Sequence, residues 1–208
     1  MAARTFQSYF SFHTLNITLF SLLFVFYFLA THFSGHHQEI KELIDKIEQW
    51  VEDRDIFNGS TVKKQIKKLA KEIGELFSGD NKNNLDLIKD GVGGCVVVLI
   101  NLRKMLNIEE TLLNTYLDSD YIFEEDNVFD ADEHLFWILR FIGFLSDYGV
   151  PETERTYPNS VNMIFYNLMR YCRAKEIDFI DCIQHAYDQI KDRKGKMIDG
   201  VFVKEEDL

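Results

Sequence analysis

After residue 36, apolar positions recur at helical spacing along most of the chain. In EIKELIDKIEQWVEDR, Ile40, Leu43, Ile44, Ile47, Trp50 and Val51 share one face. DIFNGS interrupts the pattern, and Ser60 or Thr61 is placed to cap the next helix, TVKKQIKKLAKEIGELFSG, which ends at Gly79. A polar turn, DNKNN, leads into LDLIKDGVGGCVVVLINLRKML. Its β-branched middle would suit a strand. However, Asp86, Asp90, Gly94, Asn101 and Lys104 fall roughly along one helical stripe and no hairpin turn follows the valines, so the segment is predicted helical. Gly91, Gly93 and Gly94 each cost such a helix about 1 kcal/mol relative to alanine, which points to close backbone approach or lost side chains. Beyond an acidic joint, FEEDNVFDADEH, come HLFWILRFIGFLSDYG, SVNMIFYNLMRYCRAK with Ser160 as its cap, and IDFIDCIQHAYDQIKDRKG, followed by the tail KMIDGVFVKEEDL. No fixed-period repeat is visible, and the pattern predicts an all-α helical bundle with short joints.

The N-terminus has a different character. From Thr5 to Thr31 there is no Lys, Arg, Asp or Glu, and Leu19–Ala30 is almost wholly apolar. The stretch is long enough to cross a bilayer as a helix, and residues 14–31 are its candidate span. It makes a poor cleaved signal peptide, since Arg4 is the only charge ahead of it and no small-x-small site follows cleanly. A membrane anchor, a non-native upstream extension and a buried or dimer-packing helix all remain open. The expected division is therefore residues 1–35, a hydrophobic segment, and residues 36–208, one helical domain. His36 and His37 fall in the polar joint between them.

Charge narrows the partners. Lys and Arg total 23 against 34 Asp and Glu, a formal net charge of −11. That argues against broad binding of a nucleic-acid polymer, which needs a basic surface, though not against a single nucleotide held by a cation and a few local bases. Cys95, Cys172 and Cys182 lie apart in apolar runs and are expected to be core thiols in a reducing compartment. His134 and His185 are isolated and are expected at the surface or in caps. The stripe of Phe136, Trp137, Phe141 and Phe144 is expected to be core or an oligomer contact.

The chemistry-bearing candidates are acidic. Glu72 and Glu75, at i and i+3 in KLAKEIGEL, can point at one spot, and Asp90 lies on the next helix. Converging carboxylates are costly unless a cation or proton neutralises them, and three on neighbouring helices suit Mg²⁺. A solvated helix face would carry the same glutamates. Lys63, Lys64, Lys67 and Lys68 crowd the first half of that helix and the acids its second, against the helix dipole.

These segments carry a family resemblance. QWVEDR at 49–54, KLAKEIGEL at 68–76, IKDGVGGCVVVLINL at 88–102 and AYDQIKDRKGKMIDGVFVKEEDL at 186–208 resemble, in order, the motifs of MazG-like nucleoside triphosphate pyrophosphohydrolases of the small phage kind. Residues 1–35 lie outside the resemblance. It implies an all-α fold completed as a homodimer or homotetramer, and Mg²⁺-dependent hydrolysis of an NTP or dNTP to monophosphate and pyrophosphate. It also implies a cytoplasmic catalytic domain, membrane-anchored if the N-terminal segment is native. Carried over by position, Glu72 and Glu75 are the ExxE pair and Asp90 is the acid of the following motif, together the metal and catalytic set. Asn101 is placed near sugar or phosphates, Arg193, Lys194 and Lys196 near the triphosphate, and Trp50 or Asp53 near the base.

The chain departs from the family pattern where relatives usually read D-x-x-G-D. Here the sequence is Asp90-Gly91-Val92-Gly93-Gly94, so an acid is missing at Gly94, and Gly91 stands where many relatives carry glutamate. Lys71 likewise stands where relatives often have another glutamate. Three carboxylates then remain of a usual four. The alternative expectation is a catalytically silent relative that binds nucleotide or serves as a helical interaction module.

Overall fold

The computed structural model describes residues 38–108, 130–149 and 157–208. The chain divides between Glu39 and Ile40, and the architecture below is that of the second unit. The N-terminal apolar segment lies outside the described residues. Among those described, no helix is long and apolar enough to cross a membrane.

The described fold is mostly helical. Helix α1 covers residues 38–53, followed by a single turn, α2 (Ile56–Gly59), α3 (Val62–Asn81), α4 (Leu85–Met105), α5 (Ala131–Ser146), α6 (Tyr157–Ala174) and α7 (Phe179–Ile190). Side-chain caps set several helix starts. Thr61 accepts from the Lys64 amide, Asn84 from Leu87 and Asp178 from Ile180 and Asp181. Asp130 and Glu133 form a reciprocal capping box on α5. Several expected boundaries shift, and α7 ends at Ile190 rather than running on through the basic segment. Helix α6 begins at Tyr157, so Ser160 is an interior, buried position and not its cap. Helix α3 runs past Gly79 to Asn81, and Asn83, at φ 48°, makes the turn into α4.

Helix α4 is the axis of the bundle. Twelve of its residues are buried, on every side, so its sequence lacks a clear polar face and reads as a β-branched run. It packs along α3 on one flank and α7 on another, with α6 also in contact. The glycines let these neighbours close in. A Cβ on Gly91 would stand 2.6 Å from the Leu76 backbone, and one on Gly93 would stand 2.5 Å from the Cys182 carbonyl oxygen. Helix α6 ties to the end of α3 through the buried Tyr171, whose hydroxyl donates to Asp80 at 2.8 Å, and Lys175, 2.9 Å from the same carboxylate. Helix α5 packs on α6, and there His134 is buried and hydrogen-bonded to Asn167 at 3.0 Å, contrary to the expected surface or cap role. Of the aromatic stripe, Phe141 faces inward while Phe136 is 63% exposed.

The tail supplies a β-hairpin that the helical pattern did not predict. Strands β1 (Gly195–Ile198) and β2 (Val201–Lys204) pair antiparallel, with Ile198 opposite Val201. Asp199 at φ 47° and Gly200 at φ 77° form the two-residue turn, a left-handed geometry that Asp-Gly favours.

Two glycines separate close packing from open surface. Gly91→Ala should destabilise the fold by about 1–3 kcal/mol through collision with the Leu76 backbone. Gly74→Ala, where nothing lies within 4 Å of a new Cβ, should stabilise it by up to about 1 kcal/mol. Urea unfolding of both variants reads the two signs.

Candidate functional site

Glu72 and Glu75 lie one turn apart on α3, and Glu72 leans towards α4. Its Oε2 lies 2.5 Å from the place a Cβ on Gly94 would occupy, so the missing side chain on α4 is the space that receives this carboxylate. The Glu72 side chain is only 13% exposed. Burial lifts its carboxyl above the ordinary glutamate range; Lys71 and Lys68 pull the other way, and the neighbouring Glu75 adds to the rise. Lys71 spans the pair, with its Nζ 2.7 Å from Glu75 Oε1 and 3.7 Å from Glu72 Oε1. The hydrogen bond to Glu75 holds its ammonium above the usual lysine range.

Lys68 is one turn before Glu72. The residue is exposed, yet desolvation acts on its ammonium. That desolvation lowers its pKa, Glu72 opposes the shift, and the positive charge of Arg193 contributes to it. Arg193 therefore brings the C-terminal basic segment within electrostatic reach of α3.

Asp90 is engaged elsewhere. It sits one turn before Gly94 on α4, yet its Oδ1 accepts from Gln189 at 2.6 Å and lies 2.7 Å from His185 Nε2, both on α7. His185 is thus partnered to a proposed site carboxylate, a role its isolation in the sequence did not suggest. Among the described residues, no three His, Cys, Asp or Glu side chains are grouped to hold a metal ion. The carboxylate oxygens are hard-cation donors in chemistry; as placed, Glu72 and Glu75 share Lys71 and Asp90 contacts α7.

The other sequence candidates divide between core and surface. Asn101 is 1% exposed; its amide nitrogen reaches Gln65 Oε1 at 3.5 Å, and its Oδ1 has no partner among the described residues. Gln65 in turn donates to Ser60, and Ser60 to the carbonyl of Gly200 at the hairpin turn. Trp50 is buried beneath the hairpin, edge-on to Phe202 at 5.6 Å, and its indole nitrogen is likewise without a partner. Asp53 is exposed on α1 and accepts from Gln49. Lys194 lines an open hollow of about 610 Å³ with Arg193, Lys204, Gln189 and three acids, while Lys196 is exposed on β1.

Arg54 was absent from the sequence candidates and organises this end of the molecule. Its guanidinium donates to the carbonyls of Arg193 at 3.0 Å, Trp50 at 3.2 Å and Lys191 at 3.3 Å, and lies 4.5 Å from the Trp50 ring centroid. The motif QWVEDR contained the signal, since a guanidinium is the side chain best suited to gather several carbonyls. The Asp-Gly pair between Ile198 and Val201 likewise signalled the hairpin.

A segment of 74 residues is 47% identical to an "Uncharacterized 18.2 kDa protein in rep-hol intergenic region" of Haemophilus phage HP1 (strain HP1c1), a match that covers 36% of this chain and 45% of that protein. The match spans less than half of that relative's length. No protein-family model matches the chain, and no solved structure matches it.

The Glu72 carboxyl sets a pH dependence. The folded state holds its proton more tightly than the unfolded chain does. The stability this group contributes is therefore full below the ordinary glutamate range and is lost as pH rises through the raised folded value. Glu72→Gln should stabilise the metal-free protein at about pH 7 and change it little at about pH 4, read from urea midpoints in EDTA. At the other end of the site, Arg54→Ala should release the segment 191–196, read as faster tryptic cleavage at Arg193 and Lys194 while the far-ultraviolet spectrum of the helices is kept.

Proposed function

We propose that the chain is a MazG-like pyrophosphohydrolase that cleaves nucleoside or deoxynucleoside triphosphates to the monophosphate and pyrophosphate in a Mg²⁺-dependent reaction. The observation that carries this reading is the Glu72–Glu75 pair: two carboxylates one helical turn apart, one of them largely desolvated against α4. Burial and like charge make that arrangement unfavourable without a cation, and a nucleotide's metal ion is the natural one. The cationic groups Lys68 and Arg193 near the same face support a polyanionic substrate.

Glu72, Glu75 and, after release from α7, Asp90 would hold the ion, which supplies Lewis-acid neutralisation of phosphate charge. Glu75 is the more exposed of the two glutamates and serves as the base. It takes a proton from a water whose oxygen attacks the α-phosphorus; the α–β bridging P–O bond breaks, and its electron pair leaves with pyrophosphate. Arg193, Lys194 and Lys196 offset the charge gathering on that leaving group. Asn101 and Trp50, each with an unpartnered polar atom, are the proposed polar contacts for sugar and base. The exposed apolar positions Phe136, Leu139 and Phe144 on α5 are compatible with assembly as a homodimer or homotetramer.

A second reading is a relative that binds nucleotide without turnover. Gly94 offers no ligand, Lys71 already offsets part of the charge of the glutamate pair, and one oxygen of Asp90 is engaged by α7.

Pyrophosphate release from a panel of NTPs and dNTPs, measured with Mg²⁺ and with EDTA, tests the two. The enzyme reading expects metal-dependent release that falls at least about a hundredfold in Glu75→Gln. The silent reading expects no release from wild type. In that case Gly94→Asp decides whether only a ligand is missing, since the atoms nearest a new Cβ there belong to the Glu72 side chain.

A further inference from the structure

We propose that Lys71 is the resident counter-cation of the Glu72–Glu75 pair, held in place until a divalent cation displaces it. The inference rests on reading that pair as a metal site and concerns how the site is regulated.

Three observations meet here. Gly94 leaves a side-chain-sized space on α4, and the Glu72 carboxylate fills it. So placed, Glu72 has little water to stabilise its charge and depends on protein cations. Lys71 is within ion-pair distance of both glutamates, at 3.7 and 2.7 Å. Lys68 also acts on Glu72, with a smaller effect than Lys71.

The same geometry makes Lys71 exchangeable. Its side chain is 62% exposed on a flexible stem, and it can swing into solvent without disturbing packing. An exposed lysine–glutamate pair one turn apart on a helix contributes little to folding. Lys71 therefore acts on metal affinity more than on stability. It partly neutralises the glutamates in the metal-free protein, and a dication must overcome that pairing to enter.

The test is Mn²⁺ binding to the full chain, followed by electron paramagnetic resonance of the free ion. Lys71→Met should bind Mn²⁺ on the order of tenfold more tightly than wild type. The distant, exposed Lys82→Met should match wild type, and the gain should vanish in Lys71→Met combined with Glu75→Gln. Equal affinity in wild type and Lys71→Met overturns the proposal. If neither protein binds Mn²⁺, the metal reading fails, and a double-mutant cycle between Lys71→Met and Glu75→Gln, by urea unfolding in EDTA, decides Lys71 separately. Measurable coupling keeps Lys71 as the counter-cation of the pair, and zero coupling removes that role as well.

Discussion

The structure depends on how closely α3 and α7 approach the backbone of α4. Close approach requires α4 to lack side chains where the neighbours touch it, and Gly91 and Gly93 meet that need on two different flanks. A helix with three glycines in four positions has poor intrinsic stability, so packing must hold it. Buried valines, leucines and isoleucines on every side of α4 supply that packing. A weak helix former thus becomes the centre of the bundle because it is thin enough to be surrounded.

The candidate site follows from the same thinness. Gly94 lies on the stripe that faces α3, and the space it leaves is filled by a carboxylate, not by apolar packing. Burial, the neighbouring Glu75 and the two lysines then set the behaviour of Glu72. Asp90, one turn earlier on α4, is drawn to α7 by His185 and Gln189. Asp90 thus shares a stripe of α4 with Gly94, but its observed partners are on α7 and not on α3.

Much of the helical fold was legible in the sequence, because period and caps are local properties. The 3.6-residue pattern in α1, the Thr61 cap and the helical stripe of α4 all lie within a few residues of what they determine. The hairpin was legible too, in Asp199-Gly200, a turn signal that helical periodicity does not register. The pairing of His185 with Asp90 was not legible, since the two are 95 positions apart and meet only because α4 and α7 pack together. Likewise, nothing local shows that His134 is buried against Asn167. The glutamate pair was visible as a spacing, while its burial against Gly94 came only with the packing of α3 on α4.

The Arg54 contacts carry a consequence for how this surface can change over time. Its guanidinium holds the C-terminal segment by the carbonyls of Lys191 and Arg193. Every residue type offers a carbonyl, so the anchorage is indifferent to which side chains the segment bears. Substitutions at 191, 193 and 194 can alter the charge and reach presented beside α3 without loosening the segment's attachment. The molecule therefore has a fixed mount with exchangeable fittings, on which surface chemistry can drift while the fold stays the same.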